Sequence, residues 1–235
     1  MSVVPTPARA APHQPAQPRG EDTRRRILRA ALDVFAQEGY EGASTRTLAQ
    51  RAQVNLPAIQ YYFGSKEGLH RAVIDDIAET MQERLGPARA AIEAALAGPA
   101  ASRRKLVGLL CDLLDAFVVL CADQTAPGWE SRALFFARAE IESKAALDTL
   151  HERVSRWLID PCAALIARLT GLAADAEETR LRSLALLGQV TIFCNRKSRP
   201  ALGWDTLDAR RVDAIRRIIR AQTSAIFRLA PRRRS

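Results

Sequence analysis

The side chains with the most chemistry to offer lie close together, between Ser44 and Glu67. Asn55, Gln60, Tyr61, Tyr62 and Lys66 bring amide, phenol and ammonium groups to one short stretch, a few residues after Thr45 and Arg46. Amides can pair with the edges of bases, and Arg, Lys and hydroxyl groups can hold phosphates. Nothing comparable supports catalysis. His13, His70 and His151 have no nucleophile motif beside them, and there is no Walker loop, Gly-x-Gly-x-x-Gly or recognisable carboxylate pair. Cys111, Cys121, Cys162 and Cys194 are widely spaced in apolar surroundings without a Cys-x-x-Cys pair. Neither a disulfide framework nor a zinc site fits them, and they read as small core hydrophobes. His70, at the start of a helix, reads as a surface residue. The expectation is a chain that is not an enzyme and carries no metal or cofactor.

These polar groups need short elements to present them. Ser44 is a good N-cap for a helix from Thr45 to about Ala52, with Leu48 and Ala49 on its inner face. Asn55 caps a second helix, Leu56 to Phe63, with Pro57 in its first turn, where a missing N–H costs little. Because Pro57 has no N–H, Asn55 must cap the amide of Ala58. Gly64 then ends the helix and Ser65 caps the next. Two capped helices around a turn of about three residues make a helix-turn-helix. The second is too short for a core element, and its Leu56, Gln60, Tyr61 and Tyr62 suit contact with DNA.

Residues 22 to 75 also resemble the DNA-binding domain of the TetR family of bacterial transcriptional regulators. The resemblance rests on Phe35-Ala36-Gln37-Glu38-Gly39-Tyr40, the two short helices, and Tyr62-Phe63-Gly64-Ser65-Lys66-Glu67-Gly68-Leu69. The stretch from Asn55 to Lys66 is similar to the CecR-like branch. The family usually has Gly where Gln53 stands, so this turn must manage φ > 0 with a side chain or take another shape. The family at large often has Tyr where Gln60 stands. The combined reading puts Thr45, Arg46, Tyr61, Tyr62 and Lys66 on phosphates. Asn55, Leu56, Pro57, Ala58 and Gln60 face base edges or thymine methyls, with Gln60 the best candidate for a bidentate contact to adenine.

Composition sets the frame around this stretch. Nearly half of the 235 residues are apolar, with few aromatics, which favours an all-α protein with a sizeable core. No apolar run approaches the roughly 18 residues that cross a bilayer, and the N-terminus has no apolar signal region, so a cytoplasmic protein without membrane contact is expected. Residues 1–20, with five prolines, read as a disordered arm. Residues 21–77 form the helix-turn-helix domain, 78–230 a helical domain, and 231–235 a basic tail. A first helix, about Thr23 to Gly39, puts Ile27, Ala31, Val34 and Phe35 on one stripe behind the short helices. Gly39 closes it with left-handed geometry.

A fourth helix from Lys66 to about Leu85 carries Leu69, Val73, Ile74 and Ile77 inward and is expected to break at Gly86-Pro87. A weaker helix covers 87–97, and a very apolar one runs from Arg103 to Ala122. Pro127-Gly128-Trp129 starts a helix reaching about Ser143. Lys144 to Leu169 follows, kinked at Pro161, then 175–196 and about 205–229. The net charge of +9 is concentrated in the last 26 residues, which hold nine Arg and one Asp. Arg210, Arg211, Arg216, Arg217 and Arg220 read as a solvated face, with Arg232, Arg233 and Arg234 as an alternative DNA contact.

Gly188-Gln189 and the region Arg199-Pro200 to Gly203-Trp204 are similar to the C-terminal domain of the CecR-like branch. That resemblance implies a helical domain that dimerises through its last two long helices and holds a small effector internally. Two adjacent helices with wide apolar faces agree, since a second copy would complete a four-helix bundle. Phe117, Trp129, Phe136, Trp157, Gln189 and Phe193 are the candidate effector wall, suited to an apolar or aromatic ligand. The expected function is that of a homodimeric, effector-responsive regulator, a repressor, binding a pseudo-palindromic double-stranded DNA operator. The competing reading is a helical dimer that binds DNA constitutively, as an architectural protein.

Overall fold

The computed structural model describes residues 18–123, 128–142, 148–194, 198 and 200–229. Among them are nine α-helices and no strand. Residues 1–17 of the expected arm, the tail from 230, Pro127 and the start of the segment at Lys144 lie outside these residues. Helix α1 spans Pro18–Gly42, starting five residues before the expected Thr23. Ile27, Ala31, Val34 and Phe35 are all buried, as their spacing predicts. Gly39 interrupts its helical dihedrals at φ +77°, ψ 174°. The positive φ is the expected one; the extended ψ differs from a left-handed cap, and beyond it the Tyr40 ring stacks on Phe35 with ring centres 6.1 Å apart.

α2 (Thr45–Arg51) and α3 (Leu56–Phe63) follow, and α4 (Lys66–Ala97) leads out of this unit. The expected break at Gly86-Pro87 does not occur: α4 runs through both residues as one helix. Leu85, Ile92 and Ala95 are buried on its inner side. Their burial, at about 25 cal/mol per Å² of apolar surface, outweighs the hydrogen bond Pro87 removes.

α5 (Arg103–Ala122) is the central strut of the larger unit, packed by α4, by α7 (Arg156–Thr170), by α8 (Glu177–Cys194) and by α9 (Ala209–Leu229). Its Leu106, Leu110, Leu113, Leu114, Phe117 and Val118 are buried, the breadth expected of a helix enclosed on several sides. Arg103 ties two helix ends to it, donating from Nε to the carbonyl of Phe227 at 2.8 Å and from Nη1 to that of Leu169 at 2.9 Å. Unsatisfied carbonyls at a helix C-terminus favour such a cation.

α7 follows a π-helical turn, His151–Ser155, and continues through Pro161. Proline at that position frees the carbonyl four residues back, that of Trp157. Arg89 of α4 takes it at 3.4 Å and lays its guanidinium 4.8 Å from the Trp157 ring centre. Cys111 and Cys162 are buried, and burial pushes the Cys162 thiol up to about 12. Both behave as the core hydrophobes their surroundings suggest.

On α9 the expected solvated arginine face is partly engaged within the protomer. Arg220 donates to Asp112 at 2.8 Å and binds the buried Asp115 of α5, which also faces Arg216 at 3.7 Å. These carboxylates hold the Arg220 guanidinium well above its ordinary pKa. Between α5 and α7, helix α6 (Trp129–Glu142) packs along α1 and joins the larger unit to the helix-turn-helix.

Candidate nucleic-acid interface

The helix-turn-helix is set by its caps. Ser44 Oγ accepts the amide of Thr47 at 3.0 Å, Asn55 Oδ1 that of Ala58 at 3.2 Å, and Ser65 Oγ that of Gly68 at 3.1 Å. Each satisfies an N–H that would otherwise lack a helical partner. Leu48, Ala49, Ala52 and Ile59 are buried and lock α2 and α3 onto α1 and α4. The turn closes through Gln53 N–H to Gln50 and Val54 N–H to Ala49, with Gln53 at φ +52°. A side chain therefore does sit in the left-handed position the family usually gives to Gly.

One face of α3 is left open. Leu56, Pro57, Gln60 and Tyr61 are exposed along it, Leu56 at 52% and Tyr61 at 83%. Large apolar and aromatic groups held out by a rigid, fully capped element mark a contact surface. Thr45, Arg46 and Asn55 are exposed beside them, whereas Ala58 and Lys66 are half-buried. Tyr62 is half-buried too: its ring meets Tyr61 edge-on at 5.0 Å, and its hydroxyl lies close to Gly20 at the start of α1. Asn55 has committed Oδ1 to capping, which leaves its amide N–H₂ for an outside acceptor.

Lys66 is held, with its ammonium 4.4 Å from the centre of the Tyr40 ring. The Tyr40 hydroxyl donates to Glu67 Oε1 at 2.7 Å. That bond, with those from its own backbone amide and Ser65, brings the Glu67 carboxyl down to about 2. Burial and the same carboxylate push the Tyr40 phenol up to about 12. The Gly-Tyr and Lys-Glu motifs, 27 residues apart, thus form one cluster at the end of α3.

His70 completes the cluster, and here the sequence expectation is corrected. It is not a surface residue: the rings of Phe35, Tyr40 and Phe135 lie 5.0, 5.1 and 5.2 Å from its own. Burial lowers its pKa and keeps it neutral. Arg24, in the run of arginines at the start of the first helix, lays its guanidinium 5.6 Å from the Phe63 ring beside the C-terminus of α3. It precedes Leu28 and Ala31 by four and seven residues, on the same helix face.

The expected effector residues are spread along four helices. Phe117 is buried on α5, Phe136 half-buried on α6, Trp157 half-buried under Arg89 on α7, and Gln189 and Phe193 half-buried on α8. Trp129 opens α6, and its side chain lies outside the described residues. Gln189 Oε1 is buried and has no partner among the described residues. A groove of about 400 Å³ runs between Arg84 of α4, Val119 and Asp115 of α5, and Arg216 of α9; a second, of about 220 Å³, lies beside Arg103 and Arg168. Neither is lined by any of the six. Among the described residues no group of three or more His, Cys, Asp or Glu is placed to hold a metal, and no helix is long and apolar enough to cross a membrane.

Comparison with known proteins agrees with this architecture. Residues 27–73 match the model for bacterial regulatory proteins of the tetR family. Residues 106–228 match that for the C-terminal domain of the HTH-type transcriptional dual regulator CecR. The CecR protein of Shigella flexneri is 31% identical over 216 residues, spanning 89% of this chain and 93% of its own length. The crystal structure of a TetR-like transcriptional regulator from Rhodococcus sp. RHA1 superposes with a TM-score of 0.60 at 22% identity, over 88% of this chain and 96% of that one. AibR, solved with isovaleryl coenzyme A and operator DNA, superposes with a TM-score of 0.59 at 16% identity, over 85% and 97%.

Proposed function

The chain belongs to the TetR family of bacterial transcriptional regulators, with a C-terminal domain of the CecR type, and from that premise we propose that it is a homodimeric, sequence-specific repressor. It acts in the cytoplasm, on a pseudo-palindromic operator, and leaves that operator when a small apolar or aromatic effector binds. The observation that carries this reading is the open face of α3, where Leu56 and Tyr61 stand out beside Gln60 on a helix capped by Asn55 at its start and Gly64 at its end. Gln60 pairs with adenine, Leu56 and Pro57 meet thymine methyls, and Asn55 and Ala58 flank them. Thr45, Arg46, Tyr61, Tyr62 and Lys66 position the domain on phosphates.

Dimerisation is supported by a second open surface. Leu181, Leu184 and Ile192 on α8 and Ile218 and Ile226 on α9 are all exposed large hydrophobics. Two helices with such faces need partners, and a second copy supplies them as a four-helix bundle. The effector seat is proposed among Phe117, Trp129, Phe136, Trp157, Gln189 and Phe193. The unpartnered Gln189 Oε1 supports it, as a buried acceptor that a ligand donor would satisfy. The acyl chain of the AibR ligand is of the apolar class proposed here. A second reading, an architectural dimer without an effector, is favoured by the one fact that neither described groove touches those six residues.

Gln60→Ala tests the first reading. A base-by-base binding scan on a DNA fragment selected by the wild-type chain is expected to show a loss of about 1 to 3 kcal/mol and relaxed preference at one base pair. Uniform weakening with preference unchanged makes Gln60 a bystander or a phosphate contact.

A further inference from the structure

We infer that Glu142 is a positioning residue for DNA binding: with Arg138 it grips the backbone of the Gly39 turn and so orients both helices that flank the recognition helix. The inference rests on the DNA-binding reading above and names a joint through which the C-terminal domain acts on it.

Glu142 Oε2 accepts the amide of Tyr40 at 3.0 Å, across 102 residues of sequence. Its other oxygen faces Arg138 Nη1 at 3.6 Å, and Arg138 Nη2 donates to the carbonyl of Gln37 at 2.5 Å. One ion pair on α6 therefore presents an acceptor and a donor to the backbone on either side of Gly39. The site is shaped for glycine twice over. Gly39 lies at φ +77°, and a Cβ there would come within 1.8 Å of Glu142 Oε1. The carboxylate occupies the space a side chain would fill.

The two gripped residues lead to the DNA-binding surface. Gln37 Oε1 accepts from Arg51 Nη2 at 3.0 Å, which fixes the end of α2. Tyr40 binds Glu67 through its hydroxyl and carries Lys66 on its ring, which fixes the start of α4 just beyond α3. Held from α6, these contacts set the attitude of α3 relative to the C-terminal domain. In a dimer that attitude decides whether two recognition helices match two half-sites.

The test uses the full chain as wild type, Glu142→Ala and Glu142→Gln, with the latter keeping an oxygen that can accept the Tyr40 amide. Amide exchange is read at Tyr40 and across Thr45–Arg51, and affinity on a DNA fragment selected by the wild type. Glu142→Ala is expected to speed Tyr40 exchange and weaken binding about tenfold, a typical size for coupling between sites, with α2 protection unchanged. Glu142→Gln restores both to within about twofold. Gly39→Ala adds a discriminating arm: its penalty on Tyr40 exchange and binding shrinks in the Glu142→Ala background, because the clash is gone and the strain at φ alone remains. Unchanged Tyr40 exchange in Glu142→Ala shows that the contact is absent. Accelerated exchange with wild-type affinity shows that it does not position the helices. Either result overturns the inference. If the wild type selects no DNA at all, the DNA-binding reading fails instead, and the exchange measurements still report on the joint.

Discussion

Gln53 and His70 show how single side chains carry constraints that reach beyond their own helices. Gln53 holds φ +52° in the turn between α2 and α3, a conformation that costs a non-glycine residue about 1 to 2 kcal/mol. Glycine would relieve that strain while losing about 0.5 to 1 kcal/mol of it to the freer unfolded chain. Gln53→Gly is therefore expected to raise stability by roughly 0.5 to 1 kcal/mol, and Gln53→Val to lower it, both read from denaturant midpoints at constant slope. This position was legible through the resemblance, since the family usually has Gly where Gln53 stands, which left either a side chain at positive φ or another turn shape. His70 was not. The rings around it come from residues 35, 40 and 135, and the last belongs to α6, which no local pattern connects to α4. Burial depresses its pKa below the ordinary 6.5 in the folded chain, so the folded state resists a proton that the unfolded state accepts. That contribution is complete above about pH 6.5 and is lost as pH falls below it toward the depressed folded value. The melting temperature is expected to drop as pH falls below about 6.5, and His70→Phe to flatten that part of the profile. An equal slope in both proteins would assign the drop to other groups.

At the scale of elements, the helices follow from their caps and apolar stripes, and the departures follow from packing. Ser44, Asn55 and Ser65 each mark a helix start that the structure reproduces to the residue. Gly86-Pro87 carries a stop signal just as plain, yet α4 continues, because its buried face continues to Ala95. Local signals decide a boundary only where tertiary burial is indifferent to it. The same distinction divides neighbours on α9. The adjacent Ile218 and Ile219 face opposite ways: Ile219 is fully buried within its own protomer and Ile218 is 46% exposed. The two faces make separable predictions. Ile219→Asp buries an unpaired charge and is expected to unfold the domain. Ile218→Asp, or Leu184→Asp on the exposed face of α8, is expected to leave a folded chain that sediments as a monomer and loses specific binding. A folded, dimeric Ile218→Asp, Leu184→Asp double variant would move the interface elsewhere.

Across the whole molecule, the DNA-binding unit and the larger helical unit are joined by α4, which runs unbroken from Lys66 to Ala97, and by α6 lying along α1. The helical unit touches the unit that carries α3 along two paths, through the axis of α4 and through the Gly39 turn. The proposed dimer sets the scale on which either route matters, since α3 of each copy has to enter a major groove on the same side of the duplex. The most direct test of the account is to let the full chain select from a random-sequence DNA pool and to measure the mass of the complex formed. The predicted result is an inverted repeat with half-site centres about 34 to 36 Å, or 10 to 10.5 base pairs, apart, bound by an even number of chains. A pool without an enriched sequence, bound with an affinity that depends on salt but not on bases, would contradict it.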